Sequence, residues 1–376
     1  MPSFFVLSSF LSMPDIYIYM EKQRTRREME DLGKRHDWSE AWQIAAVYVG
    51  TVIGAGFATG REIMEFFTRY GTAGTVGIII SGCLFIWGGA RLMVMARRIG
   101  AASYDELNRY LFGRMLSPFV TLVMTAMIAG VTAVMIAGAG AVFEEQIGWP
   151  RQAGVTLTLG LALLVMLFDR KGLFGVNVFV VPMMMILSVA VWIKMMMAGD
   201  LCRPDIAASD YSLKAMLSPF SYAAFNLAMA QAVLVPVARE AASERAVRRG
   251  AMLGGGILTG LLLLNHIVLL SFPQKDGYDI PMAEVVRAFF AMLYWLYVVV
   301  IYGEIFTSVI GGLFGLARQA RIWVPISGKG IGVLLVLVFV AVSPFRYGEL
   351  LSFLYPLFGY MSLMLLWLLW RRKLPR

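Results

Sequence analysis

Glu304, Thr307 and Ser308 stand at i, i+3 and i+4 in the apolar run YVVVIYGEIFTSVIGGL. A helix through that run carries all three on one face. Such an oxygen-rich face suits a small hard cation. A carboxylate in an apolar span is costly unless paired or hydrated, so Glu304 is equally suited to carry a proton. The bland reading pairs Glu304 with Arg91 and bonds both hydroxyls back to their own helix. A second stretch, GTVIGAGFATGREI, places glycines at 50, 54, 56 and 60 just ahead of Arg61 and Glu62. Glycine favours an unwound stretch inside a helix, and the small residues from Thr51 to Ala58 let a ligand approach the backbone. Glu62 then stands where it could gate or couple, with Arg61 reaching outward; the alternative is helix capping after Thr59. A third stretch, MLSPFSYAAFNLAMAQ, has Pro219 between Ser218 and Ser221, and proline removes a backbone donor there.

These stretches sit in a chain built for a bilayer. Of its 376 residues 59% are hydrophobic and only 15% charged, whereas soluble domains are nearer half and a quarter. The apolar blocks run about 20 residues without alternation, which suits helices crossing a hydrocarbon core of roughly 30 Å. Ten spans are predicted near 41–68, 72–96, 116–142, 152–168, 173–198, 213–237, 250–272, 288–316, 331–345 and 350–370. Amphipathic pieces at 103–113 and 278–290 are expected in the interface plane. With the N-terminus inside, 23 Lys and Arg fall on the inner side and 8 on the outer, while Arg61 and Arg91 lie within spans. That asymmetry predicts ten spans with both termini cytoplasmic in a bacterial cytoplasmic membrane. The net charge of +9 forms no single patch, so nucleic acid is not an expected partner; lipid and a small solute are. The organisation expected is a cytoplasmic tail over 1–40, five helices over 41–198, an external linker over 199–212, five helices over 213–370, and a tail over 371–376. Residues 1–19 precede a charged stretch that opens at Met20, and translation could equally begin there. The sequence does not fix an oligomeric state.

Enzyme signatures are missing from the sequence. It has no P-loop, no HExxH and no credible Ser–His–Asp set, and two cysteines and two histidines give no metal spacing. No cofactor is expected beyond a sodium ion. Asn177, Asn226, Gln231 and His266 read as polar glue between helices, with a proton relay as the sharper option for His266.

The glycine-rich stretch GTVIGAGFATGREI resembles that of the bacterial YkvI-type membrane transporters. More distantly, motif position and span count resemble the amino acid–polyamine–cation superfamily with the LeuT fold, over residues 40–370. The resemblance implies an all-α membrane protein with a 5+5 inverted repeat and with helices one and six broken at matching positions, where such proteins hold their solute. The contacts it implies are Thr51, Gly54, Ala55, Gly56 and Phe57 at the first break, and Ser218, Ser221, Tyr222 and Phe225 at the second. It also implies a sodium site from the carbonyls of Gly50, Ile53 and Glu304 and the hydroxyls of Thr307 and Ser308. Phe57 stands where LeuT has an Asn ligand for a second sodium, so one site is the most it implies. The expected function is secondary, symporter-like transport of an amino acid or related small solute, coupled to sodium or protons, by alternating access. A solute sensor of the same fold, binding without transporting, is the competing class.

Overall fold

The computed structural model describes residues 37–168, 176–199, 210–272, 277–320, 328–341 and 344–375. The first 36 residues, residues 200–209 of the expected linker and the basic loop at 169–175 lie outside them. All regular elements described are helical. α1 covers 37–52, α2 Ala55–Thr59 and α3 Arg61–Phe66; together they form the first span. α4 is Thr72–Ile99, α5 Tyr104–Ala141, α6 Arg151–Phe168 and α7 Val176–Ala198. α8 is Leu213–Glu240, α9 Glu244–Leu270, α10 Pro281–Phe289, α11 Tyr294–Ala320, α12 Gly328–Val340 and α13 Tyr347–Arg371. Among the described residues seven helices are long and apolar enough to cross a membrane, and α6 and α12 are shorter apolar helices. The α5 helix joins the 103–113 piece to the following span through a kink at Gly113, where φ is 81°. Only glycine adopts that value without strain.

The helices sort into two groups by what they touch. The α4 helix packs along α8 and α9, while α5 and α6 pack with α11 and α12. Three helices touch both groups: α7 lies against α9 and α11, α13 against α8 and α5, and the short α10 against α9 and α11. Glycines set the first group's spacing. A Cβ on Gly89 would stand 2.6 Å from the Tyr48 hydroxyl of α1, and one on Gly255 would stand 2.8 Å from the backbone nitrogen of Ile86. Tyr48 in turn donates to the Phe85 carbonyl at 3.0 Å. Without a hydrophobic force between helices in lipid, such close backbone approach is what holds them.

Two expectations are corrected here. The α8 helix runs unbroken through Ser218–Ser221, so helix six is not interrupted. Proline's fixed φ is helical, and its cost is one missing hydrogen bond, at the Ala215 carbonyl one turn back; side-chain ties to α4 and α3 hold the helix in place. Ser81 Oγ donates to the Pro219 carbonyl at 3.0 Å, and Ser218 Oγ donates to the Phe66 carbonyl at 2.5 Å. The 278–290 piece, expected as an amphipathic surface element, is in turn packed into the protein. Residues Pro281 to Val286 of α10 are buried, against α2, α7, α9 and α11.

Candidate functional site

Span one is interrupted twice. Ile53 and Gly54 are not helical. Gly54 is extended at φ −126°, ψ −171°, and the five-residue α2 then ends at Gly60 with φ 79°. The chain bends at Gly60 so that α3 brings Glu62 back over α2. A Cβ built on Gly56 would meet Glu62 Oε2 at 2.4 Å and Tyr355 Cε2 at 3.4 Å. The carboxylate therefore rests on the bare backbone of Gly56. Glu62 is 5% exposed, and its Oε1 has no hydrogen-bond partner among the described residues. Beside it lie the Tyr222 hydroxyl and the Asn226 side chain of α8. The Tyr222 hydroxyl is also buried and faces Glu62 without closing a hydrogen bond of normal geometry among the described residues. Its ring packs against Phe66, Phe67 and Phe85, with centroids 4.9–5.8 Å apart. The Phe225 ring packs at a tilt against that of Tyr355, with centroids 4.8 Å apart.

The second group of helices meets span one at α2. Tyr297 of α11 donates to the Ala58 carbonyl at 2.9 Å. Tyr347 of α13 shares a 2.8 Å hydrogen bond with Thr59 Oγ1. Glu304 follows Tyr297 by seven residues, about 10 Å along the helix. It is buried and its Oε1 has no hydrogen-bond partner among the described residues. Arg91 is not its partner. Arg91 donates to the carbonyls of Leu369 and Arg372 at the end of α13. Thr307 Oγ1 donates to the Glu304 carbonyl at 3.2 Å, the back-bonding that makes a hydroxyl structural. Ser308 is half-buried. Thr51 Oγ1 donates to Val47 within α1, and Ile53 N still donates to Val49 O. Gly50 faces Val181 of α7.

The structure thus brings Gly56, Glu62, Tyr222 and Phe225 together. Ser218 and Ser221 are engaged elsewhere. Ser221 Oγ points to the Pro356 carbonyl at 3.5 Å, pressed against Gly359. Phe57 and Ala55 are buried in the core. His266 bridges Thr68 and Thr75 with both ring nitrogens at 3.0 Å, so it is glue between α9, α4 and the end of span one. Asn226 donates to the Tyr222 carbonyl. The side chain of Asn177 lies outside the described residues.

A cover over this region escaped the sequence reading. Glu145, beyond α5, accepts the backbone N–H groups of Asp279 and Ile280 at 2.7 and 3.0 Å. Asp279 accepts from the Gly348 amide at 3.2 Å and faces Arg151 and Arg346 at 3.8 and 3.9 Å. Arg61 donates to the Tyr278 carbonyl at 3.2 Å. The segment before α10 is thereby tied to α3, to the starts of α6 and α13 and to the turn after α5. Acidic and basic residues on both sides of spans three and four were the available signal, but their meeting at Asp279 is a tertiary fact.

No family model matches the chain. It is similar to two proteins of Bacillus subtilis strain 168. Membrane protein YkvI is 45% identical over 336 residues, 89% of this chain and 97% of the relative. Protein YyaD is 22% identical over 331 residues, 88% and 96% respectively. Among solved structures it resembles MhsT in complex with L-phenylalanine, with TM-score 0.59 and 13% identity over 80% of this chain and 78% of that one. It also resembles the Eremococcus coleocola manganese transporter, with TM-score 0.58 and 16% identity over 87% and 77%. The inward-facing conformation of Mhp1 gives TM-score 0.56 and 12% identity over 87% and 75%. These likenesses establish the fold, that of LeuT-type proteins. With nearly half its residues shared with YkvI along almost the whole of both chains, this chain belongs to the YkvI family of membrane proteins.

Proposed function

We propose that the protein is a secondary active transporter of an amino acid or related small solute, coupled to sodium or to protons. The observation that carries this reading is the meeting of two helix groups at a first span that is twice unwound. Alternating access needs a unit that rocks and a site at the seam. Here α1–α4, α8 and α9 form one unit and α5, α6, α11 and α12 the other. Ten spans in a 5+5 repeat, both termini cytoplasmic, complete the proposal; reporter fusions after Arg98 and Arg249 should both read cytoplasmic. The fold's likeness to MhsT with bound L-phenylalanine and to a Na+-coupled sialic acid symporter supports transport over enzymatic chemistry. The coupling ion would enter beside α11. A sodium ion would use carbonyls of Gly50, Ile53 and Glu304 with the hydroxyls of Thr307 and Ser308. A proton would ride on Glu304.

Proteoliposomes given a labelled amino-acid panel under imposed sodium or proton gradients test this. If sodium couples, Thr307→Ala with Ser308→Ala raises the sodium concentration for half-maximal uptake by roughly tenfold, because a low-dielectric site has little water to replace lost ligands. If protons couple, that pair changes little and Glu304→Gln abolishes gradient-driven uptake while sparing exchange. Solute binding with no flux under either gradient would make the protein a sensor instead.

A further inference from the structure

The central site holds a buried carboxyl group with no cationic partner among the described residues. Glu62 is buried, its Oε1 has no hydrogen-bond partner among the described residues, and no described ion pair includes it. Its neighbour Arg61 is turned away, donating to Tyr278 O. Beside the carboxylate stand the Tyr222 hydroxyl and, across Gly56, the Tyr355 ring, against which Phe225 packs. A buried carboxylate with aromatic neighbours is an arrangement that takes an ammonium group, by charge-assisted hydrogen bonds to the carboxylate and by van der Waals contact with the rings. The unbroken course of α8 points the same way. Its carbonyls around Ser218–Ser221 are committed to a continuous helix, so an amine arriving at the seam finds few free backbone acceptors on that side and needs a side chain. We infer that Glu62, lying over Gly56 beside Tyr222 and Tyr355, is the acceptor for a protonated amine on the transported solute, which makes the site selective for primary ammonium compounds over neutral or anionic ones of the same shape. This rests on the transport reading only for the word transported; the binding site stands without it. Entry requires α2 and α3 to part from α8 and α13, and the two non-helical joints of span one, at Ile53–Gly54 and at Gly60, are where that bend is available.

The test uses the full chain purified in detergent and matched sets of small molecules. Each set has one aliphatic or aromatic skeleton bearing a primary amine, an alcohol or a carboxylate. Binding is read by calorimetry and by the shift in melting temperature. Primary amines should bind and their alcohol and carboxylate counterparts should not. Glu62→Gln should weaken amine binding at least tenfold. Glu62→Asp, which keeps the charge one methylene further back, should weaken it less. Glu349→Gln, at an exposed carboxylate at the start of α13, should change nothing. Should Glu62→Gln not fold, the intermediate affinity of Glu62→Asp together with the amine-over-alcohol preference decides. The inference is overturned if alcohols or carboxylates bind as well as amines, if no amine binds, or if amine binding survives Glu62→Gln. Flux separates the two claims. Glu62-dependent amine binding without uptake into proteoliposomes removes the transport reading and leaves the site. Uptake of a neutral solute that ignores Glu62→Gln removes the site and leaves transport.

Discussion

Span one and α8 both carry helix-breaking residues, and only one of them breaks. Span one contains four glycines within eleven positions and loses its helix twice, at Ile53–Gly54 and at Gly60. The α8 helix contains Pro219 and Pro236 and stays continuous from Leu213 to Glu240. The difference lies in what each residue type does to the backbone. Proline removes one donor but holds φ in the helical range. The loss stays local to one carbonyl a turn back, and packing against neighbours holds the helix, as the Ser81 tie to the Pro219 carbonyl does. Glycine at φ 79° has left the helical region altogether, and no neighbour can restore it. The site follows from this asymmetry: the flexible backbone is on one side of the seam and a rigid, aromatic helix face is on the other.

Four substitutions sharpen or break that contrast, each read as the shift in unfolding midpoint of the purified protein in detergent. The largest effect should come from Gly359→Ala. Its Cβ would fall 1.9 Å from Ser221 Oγ and 2.8 Å from the Ser221 carbonyl oxygen, which forces α8 and α13 apart at a cost of about 3 kcal/mol. A midpoint equal to wild type would mean that α8 is not clamped there. Next is Gly60→Ala. A left-handed φ costs an L-residue about 1–2 kcal/mol, and the methyl would also stand 2.5 Å from Met282 Cγ. Because this joint bends span one, solute uptake should fall as well; a variant as stable and active as the parent would show that Gly60 is no joint. Ser218→Ala should cost about 1 kcal/mol, the usual net worth of a buried hydrogen bond, since it removes the tie to Phe66 O. The smallest effect belongs to Pro219→Ala. Alanine gains helix propensity and loses packing at a buried position, on Gly77, so the two effects offset and the midpoint should move by less than it does for Ser218→Ala, about 1 kcal/mol. A large loss there would indicate that the proline shapes α8 after all.

Much of this arrangement is legible in the sequence. Apolar runs of span length mark the helices, and the glycines of GTVIGAGFATGREI mark the first interruption, because both signals are local. Glycine spacing does not say which glycine takes a positive φ, so the second joint at Gly60 is visible only in the fold. Pro219 misled for a related reason: proline's φ is itself helical, so whether it breaks a helix depends on packing by distant elements such as that of Ser81, 138 residues away. The charge pattern that placed 278–290 at the interface could not foresee that Glu145 would capture its backbone. Glu62 stood out as a charge after a break, but its resting place over Gly56 depends on the turn between them.

The tight seams around Tyr48, Gly89 and Gly255 have a mechanical consequence. Where an added methyl has no room, neighbouring helices cannot slide past one another without losing contacts across the whole seam, since close-packed interiors transmit strain rather than absorb it. The unit built on α1, α4 and α9 is therefore stiff, a lever that moves as one piece while the joints of span one bend. It also follows that inherited variation in this unit is tolerated mainly on its outward face, where Val76 and Ile79 of α4 are exposed and a change of side chain meets only lipid.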